Sequence, residues 1–141
     1  MEKLTLGDEI ATIAFSAEKL ADQDFLGKSD PFFTIYKETT DRNWVVVYTS
    51  EVISNCINPK WKPFCKSIGE LCDGDYEKKL KIRVVDHDHL QSDDEIGSFT
   101  TTMSQLKAGT TFKPINENKK LKQGRFYRTD GNFRVDRIGY C

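Results

Sequence analysis

Between positions 79 and 86 apolar and charged residues alternate, with Leu80, Ile82 and Val84 on one side of an extended chain and Lys81 and Arg83 on the other. Side chains of a β-strand point to opposite faces with a period of two, so this pattern predicts a half-buried strand. The same period recurs along the sequence. Ala11, Ile13 and Phe15 mark one face of a strand over 10–16, and Phe33 and Ile35, opposite Thr34 and Tyr36, mark another over 32–37. The run WVVVYTSEVI over 44–53 is β-branched and aromatic, as a central strand should be. Further strands are expected over 61–68, 96–102, 123–128 and 132–138. MSQLKAG predicts a short helical turn ended by Gly109, and INENKKLKQG a polar loop. Many short strands separated by turn signals, with almost no helix, point to an all-β antiparallel sandwich.

Two of these strands border acidic segments. DQDFLGKSDP, with Asp24 and Asp30, precedes the strand over 32–37, and VDHDHLQSDDEIG, with Asp86, Asp88 and Asp94, follows the strand over 79–86. Gly27, Pro31 and Gly97 punctuate the segments where sharp turns are needed. Aspartates also serve turns by bonding nearby backbone N–H groups, and either segment alone fits that reading. Brought into one pocket, the five carboxylates would repel one another unless a cation offset their charge. Calcium suits such a pocket, because it takes six to eight oxygen ligands in flexible geometry.

At 141 residues the chain is long enough for one domain, expected over 1–141, with a core that needs no staples. Lys plus Arg number 21 against 22 for Asp plus Glu, so no overall basic field points to nucleic acid. No apolar run is long enough to span a bilayer, and MEKLTLGDEI has no signal-peptide core, so a soluble, cytoplasmic protein is expected. Cys56, Cys65, Cys72 and Cys141 include no CxxC pair and are expected to be free thiols rather than zinc ligands. The string DHDH, with His87 and His89, suggests a transition metal, but the other donors nearby are hard carboxylates. Clustered aspartates could also serve two-metal hydrolysis. However, the sequence has no GxSxG elbow, no HExxH and no phosphate-cradling glycine loop, so no enzyme is expected.

The motifs together resemble a C2 domain. LADQDFLGKSDPF is similar to the first calcium-binding loop of that family, with Asp24 and Asp30 at the aspartate positions, and INPKWKPF is similar to its NPxW motif. VVDHDHLQSDDEIG resembles the third loop, whose aspartates fall where Asp86, Asp88 and Asp94 stand, ahead of Ile96 and Gly97. Within the family, TSEVISNCINPKWKPF, IGSFTTTMSQL and YRTDGNFRV look most like copines. The resemblance implies an eight-stranded Greek-key sandwich. Of the two circularly permuted arrangements, the type II topology is expected, because no strand is evident ahead of Ile10.

The resemblance also implies roles. Asp30, Asp86 and Asp88 would bridge two or more calcium ions, Asp24 and Asp94 would complete the outer positions, and the carbonyls of Gln23 and His87 would fill remaining ones. Phe25, Leu26, His89 and Leu90 would contact the membrane. The implied function is calcium-dependent binding of anionic, phosphatidylserine-like membranes by a monomer that becomes peripheral when calcium rises. The alternative is a protein-binding module with little or no calcium dependence. Protonation of the histidines, near pH 6.5 when unperturbed, would add attraction to anionic lipid. Some C2 domains bind phosphoinositides through lysines on the strands that here read PFFTIYK and WVVVYTS, but this surface is nearly uncharged. The basic segment Lys119, Lys120, Lys122 and Arg125 reads as a solvated loop.

Overall fold

The computed structural model describes residues 9–20, 29–90, 92–109, 111–115 and 131–140. The alternating segments become strands β1 (Ile10–Glu18), β2 (Pro31–Glu38), β3 (Trp44–Thr49), β4 (Phe64–Ser67), β5 (Leu80–Asp86), β6 (Asp94–Thr101), β7 (Thr111–Phe112) and β8 (Asn132–Tyr140). Helices α1 (Ile68–Cys72) and α2 (Met103–Ala108) are each under two turns long. The strands form two four-stranded antiparallel sheets, in the orders β4-β1-β8-β7 and β3-β2-β5-β6. The last strand therefore lies directly against the first.

Between the sheets lies an aromatic core. Phe15 of β1 meets Phe133 of β8 edge to face at 4.9 Å, and Phe33 of β2 meets Trp61 in the same way, also at 4.9 Å. Trp61 is 1% exposed, and its indole N–H donates to the Pro31 carbonyl at 3.3 Å. One residue thus ties the NPKW connection to the start of β2. Removing a buried ring of this kind costs about 3–5 kcal/mol. Ala11, Ile13 and Phe15 point inward as the alternation predicts, and so do Leu80, Ile82 and Val84.

Three expectations need correction. The run over 44–53 is not a central strand: β3 ends at Thr49 and forms the edge of its sheet, leaving Val45 44% and Val46 56% exposed. β-propensity reports fit to a pleated surface, not position within the sheet. The chain leaves the strand at Ser50, whose hydroxyl accepts the Phe33 N–H at 2.9 Å. The strand over 61–68 is shorter than expected: it begins only at Phe64, and it ends at Ser67 because Ser67 caps α1, accepting the Glu70 N–H at 3.1 Å while its hydroxyl donates to the Glu70 carboxylate at 3.0 Å. That S-x-x-E pattern is a capping box. The helical turn expected over MSQLKAG is α2, closed by Gly109 as expected; the structure adds its cap, Thr102, which accepts the Gln105 N–H. The third correction is β7, a two-residue strand that the alternation did not signal. The strand expected over 123–128 and the basic segment Lys119 to Arg125 lie outside the described residues.

Among the described residues, Cys56, Cys65 and Cys72 are free thiols. Burial pushes the Cys72 thiol above its ordinary value.

Candidate functional site

The described end of the first acidic segment meets the second because β2 and β5 are neighbours. In their antiparallel register Pro31 lies opposite Asp86, which brings Asp86 to Asp30, 56 positions away in sequence. The Asp30 N–H donates to Asp86 Oδ1 at 2.8 Å, and the Asp30 carbonyl accepts the His87 N–H at 3.0 Å. On the other side of β5, Asp86 lies opposite Asp94 of β6. The register shifts between Val84 and Val85, where Ile96 is the extra residue on β6. Such a bulge bends and twists a strand pair locally, here immediately before the acidic turn.

Asp86 is consequently half-buried among like charges. Burial, and then the charges of Asp30, Asp94 and Asp88, push its carboxyl above the ordinary aspartate value, against the lowering effect of the Asp30 N–H. Each cause raises the free energy of the charged form, and a cation beside the carboxylate would act in the opposite direction. The donor set is all carboxylate oxygen, which fits a hard divalent ion. Among the described residues no three His, Cys, Asp or Glu side chains converge at metal-ligating distance. Asp30, Asp86, Asp88 and Asp94 therefore share one electrostatic neighbourhood without forming a closed cage.

The β5–β6 turn is braced internally. Leu90 donates its N–H to Asp88 Oδ1 at 2.8 Å, and Asp88 donates its own N–H to Asp93 Oδ1 at 2.9 Å. His87 Nδ1 stands 3.1 Å from the same Asp93 oxygen, and an ionised carboxylate only accepts, so the ring donates. The His87 and His89 rings meet edge to face at 4.6 Å, and Leu90 projects at the tip, 92% exposed. Gln23, Asp24, Phe25 and Leu26 lie outside the described residues.

Two contributors were missed by sequence reading. Asp93, next to the expected ligand Asp94, organises the turn instead of joining the cluster of charges. Asn55 turns the chain with a left-handed φ of 52°, and its N–H donates to Asp30 Oδ1 at 2.7 Å. Asparagine tolerates that region better than most residues, which was the available signal.

The outer face of the β3-β2-β5-β6 sheet also differs from a reading of β2 and β3 alone. β5 adds Lys81, whose ammonium lies 5.8 Å from the Trp44 ring centroid and 6.0 Å from that of Tyr36. It also adds Arg83, engaged by Glu95 at 2.6 Å.

A family model described as C2 domain matches residues 10–118. Among solved structures, the chain is similar to BON1-C2B, with 25% identity and a TM-score of 0.81 over 96% of this chain and 94% of that one. It is also similar to a C2 domain of plant extended synaptotagmin 1, with 16% identity and a TM-score of 0.60 over 94% of this chain and 96% of that one. A third likeness is to human GIVD cytosolic phospholipase A2, with 16% identity and a TM-score of 0.53 over 90% of this chain but only 17% of that one. The last two likenesses are of fold alone.

Proposed function

We propose that this chain, which belongs to the C2 domain family, binds anionic phospholipid membranes in a calcium-dependent way through its two acidic segments. The observation that carries this reading is Asp86, half-buried at the end of β5 and facing Asp30, Asp88 and Asp94. Carboxylates so placed bind a divalent cation in exchange for relief of their mutual repulsion. Asp30, Asp86 and Asp88 form the centre of the site, and Asp24 and Asp94, with the carbonyls of Gln23 and His87, supply outer oxygens for two or more calcium ions. Bound calcium supplies local positive charge and open coordination positions for lipid phosphate or carboxylate oxygens.

In this reading Phe25, Leu26, His89 and Leu90 are the residues that contact the lipid interface. A rim that loses its negative charge is drawn to phosphatidylserine, which is concentrated on the cytoplasmic leaflet. Association is peripheral in this reading; among the described residues no helix is long and apolar enough to cross a membrane. Within the family we assign the chain to the copine-like members, on the strings TSEVISNCINPKWKPF and IGSFTTTMSQL.

The test is sedimentation with phosphatidylserine vesicles across a calcium titration, with Asp30→Asn and Asp88→Asn as controls. Reversible, calcium-dependent pelleting that both substitutions abolish is the expected result. Pelleting that ignores calcium, or survives both changes, rejects the proposal. One observation favours a second reading, protein binding: the outer edge of β3 is paired with no described strand and exposes Val45 and Val46. Such an edge can accept an added strand. If no pelleting occurs at saturating calcium, this edge becomes the better candidate.

A further inference from the structure

The connection from β3 to β4 offers no carboxylate to the acidic cluster. Its one acidic residue, Glu51, accepts the Lys62 N–H at 2.8 Å. Yet this connection is fastened to the chain just before the first acidic segment and again to that segment's end at β2. On the β1 side, Leu20 donates its N–H to the Ile57 carbonyl at 2.9 Å, and Lys19 donates its N–H to Asn58 Oδ1 at 2.8 Å. On the β2 side, Cys56 donates to the Ser29 carbonyl at 2.8 Å, and Ile53 donates to the Pro31 carbonyl at 3.1 Å. The bond that reaches a proposed ligand directly is the one from the Asn55 N–H to Asp30 Oδ1, at 2.7 Å.

We infer that Asn55 is a positioning residue for the calcium site: its left-handed backbone aims an N–H at Asp30 and holds that carboxylate in its binding orientation before calcium arrives. The inference rests on the reading of Asp30 as a ligand given under Proposed function. The Asp30 backbone is already fixed, its N–H on Asp86 and its carbonyl on His87. The side chain remains to be oriented, and the Asn55 N–H does this from a segment that is itself anchored at four other points. A single bond to one oxygen leaves carboxylate lone pairs available to a cation. A ligand fixed in advance loses less freedom on binding, and the affinity rises accordingly.

The part played by Asn55 is a backbone part, which dictates the test. Asn55→Gly keeps both the left-handed turn and the N–H. Asn55→Val disfavours that turn strongly and moves the N–H away. Arg42 is the control: its φ is also left-handed, 64°, in the β2–β3 turn, so Arg42→Val imposes a similar backbone cost away from the acidic segments. Titration calorimetry with calcium chloride alone, with calcium-free melting of each variant, reads the outcome. The expected result is near wild-type affinity for Asn55→Gly and Arg42→Val, and about tenfold weaker binding for Asn55→Val. Should Asn55→Val fail to fold, Asn55→Ala is read in its place, weaker in effect and the same in direction.

Three outcomes overturn the inference while leaving Asp30 a ligand. Asn55→Val could bind calcium as tightly as wild type while Asp30→Asn does not, which rejects the positioning role alone. Arg42→Val could weaken calcium binding as much as Asn55→Val, which makes the effect one of general destabilisation. Asn55→Gly could lose affinity as fully as Asn55→Val, which assigns the role to the side chain. If Asp30→Asn leaves calcium binding unchanged, the ligand reading itself fails and the positioning role goes with it.

Discussion

Asp86 carries opposing demands. Its Oδ1 accepts the Asp30 N–H and so helps join the two acidic segments, while its charge is disfavoured by burial and by Asp30, Asp94 and Asp88. Asparagine retains the acceptor and removes the charge. Asp86→Asn is therefore expected to raise the calcium-free melting temperature at neutral pH and to abolish any further rise on adding calcium, both measurable by thermal scans in chelator and in calcium. The pH dependence follows in sign. A carboxyl whose folded value lies above its unfolded value, roughly 3.9, makes the folded state bind the extra proton. Its stabilising contribution is present below that unfolded value and is lost as pH rises through the folded one. In chelator, the advantage of Asp86→Asn over wild type should grow as pH rises from about 4. If the variant is less stable than wild type at every pH, the electrostatic account of this residue is wrong.

The acidic turns depend on strand elements whose ends are packed very closely. Gly131 precedes β8 where that strand lies against the end of β1. A Cβ there would sit 2.7 Å from the Lys19 carbonyl oxygen and 2.9 Å from that of Glu18, both backbone atoms that cannot swing aside. Lys19 and Leu20 are also the residues that the NPKW connection grips through Asn58 and Ile57. Gly131→Ala is therefore expected to cost about 1–3 kcal/mol, the usual range for overpacking, measured as a lower denaturant midpoint. An unchanged midpoint would mean that β1 and β8 can separate there without loss. Sequence reading did well where the signal was local to one element. Alternation assigned the inward residues of β1 and β5, and MSQLKAG with its closing Gly109 marked α2. It failed where an element's place in the sheet mattered: WVVVYT gave a strand but not its edge position, because the next strand in space is chosen by contacts distant in sequence.

At the scale of the whole molecule, calcium binding by the folded state alone would appear as stability. Such a ligand adds RT ln(1 + [L]/Kd), about 2.7 kcal/mol at a hundredfold excess over Kd. For a domain of this size that corresponds to a rise in melting temperature of about 10 °C. Magnesium should raise it much less, since it demands near-ideal octahedral geometry and gives up its waters reluctantly. Equal rises with both ions would point to general screening of the acidic rim rather than to a coordination site.

The amino-acid sequence by itself determined which residues alternate, where one short helical turn ends and where carboxylates are concentrated, because these depend on neighbours within a few positions. From them came the all-β sandwich and the acidic residues Asp30, Asp86, Asp88 and Asp94. Only the tertiary structure decided that β2 and β5 are adjacent, so that Asp30 and Asp86 meet, and that Asn55 reaches Asp30 from a connection bearing no ligand of its own. A period of two states which face a side chain takes but not what stands opposite it. Desolvation, charge repulsion and the aim of a backbone N–H arise from what stands opposite.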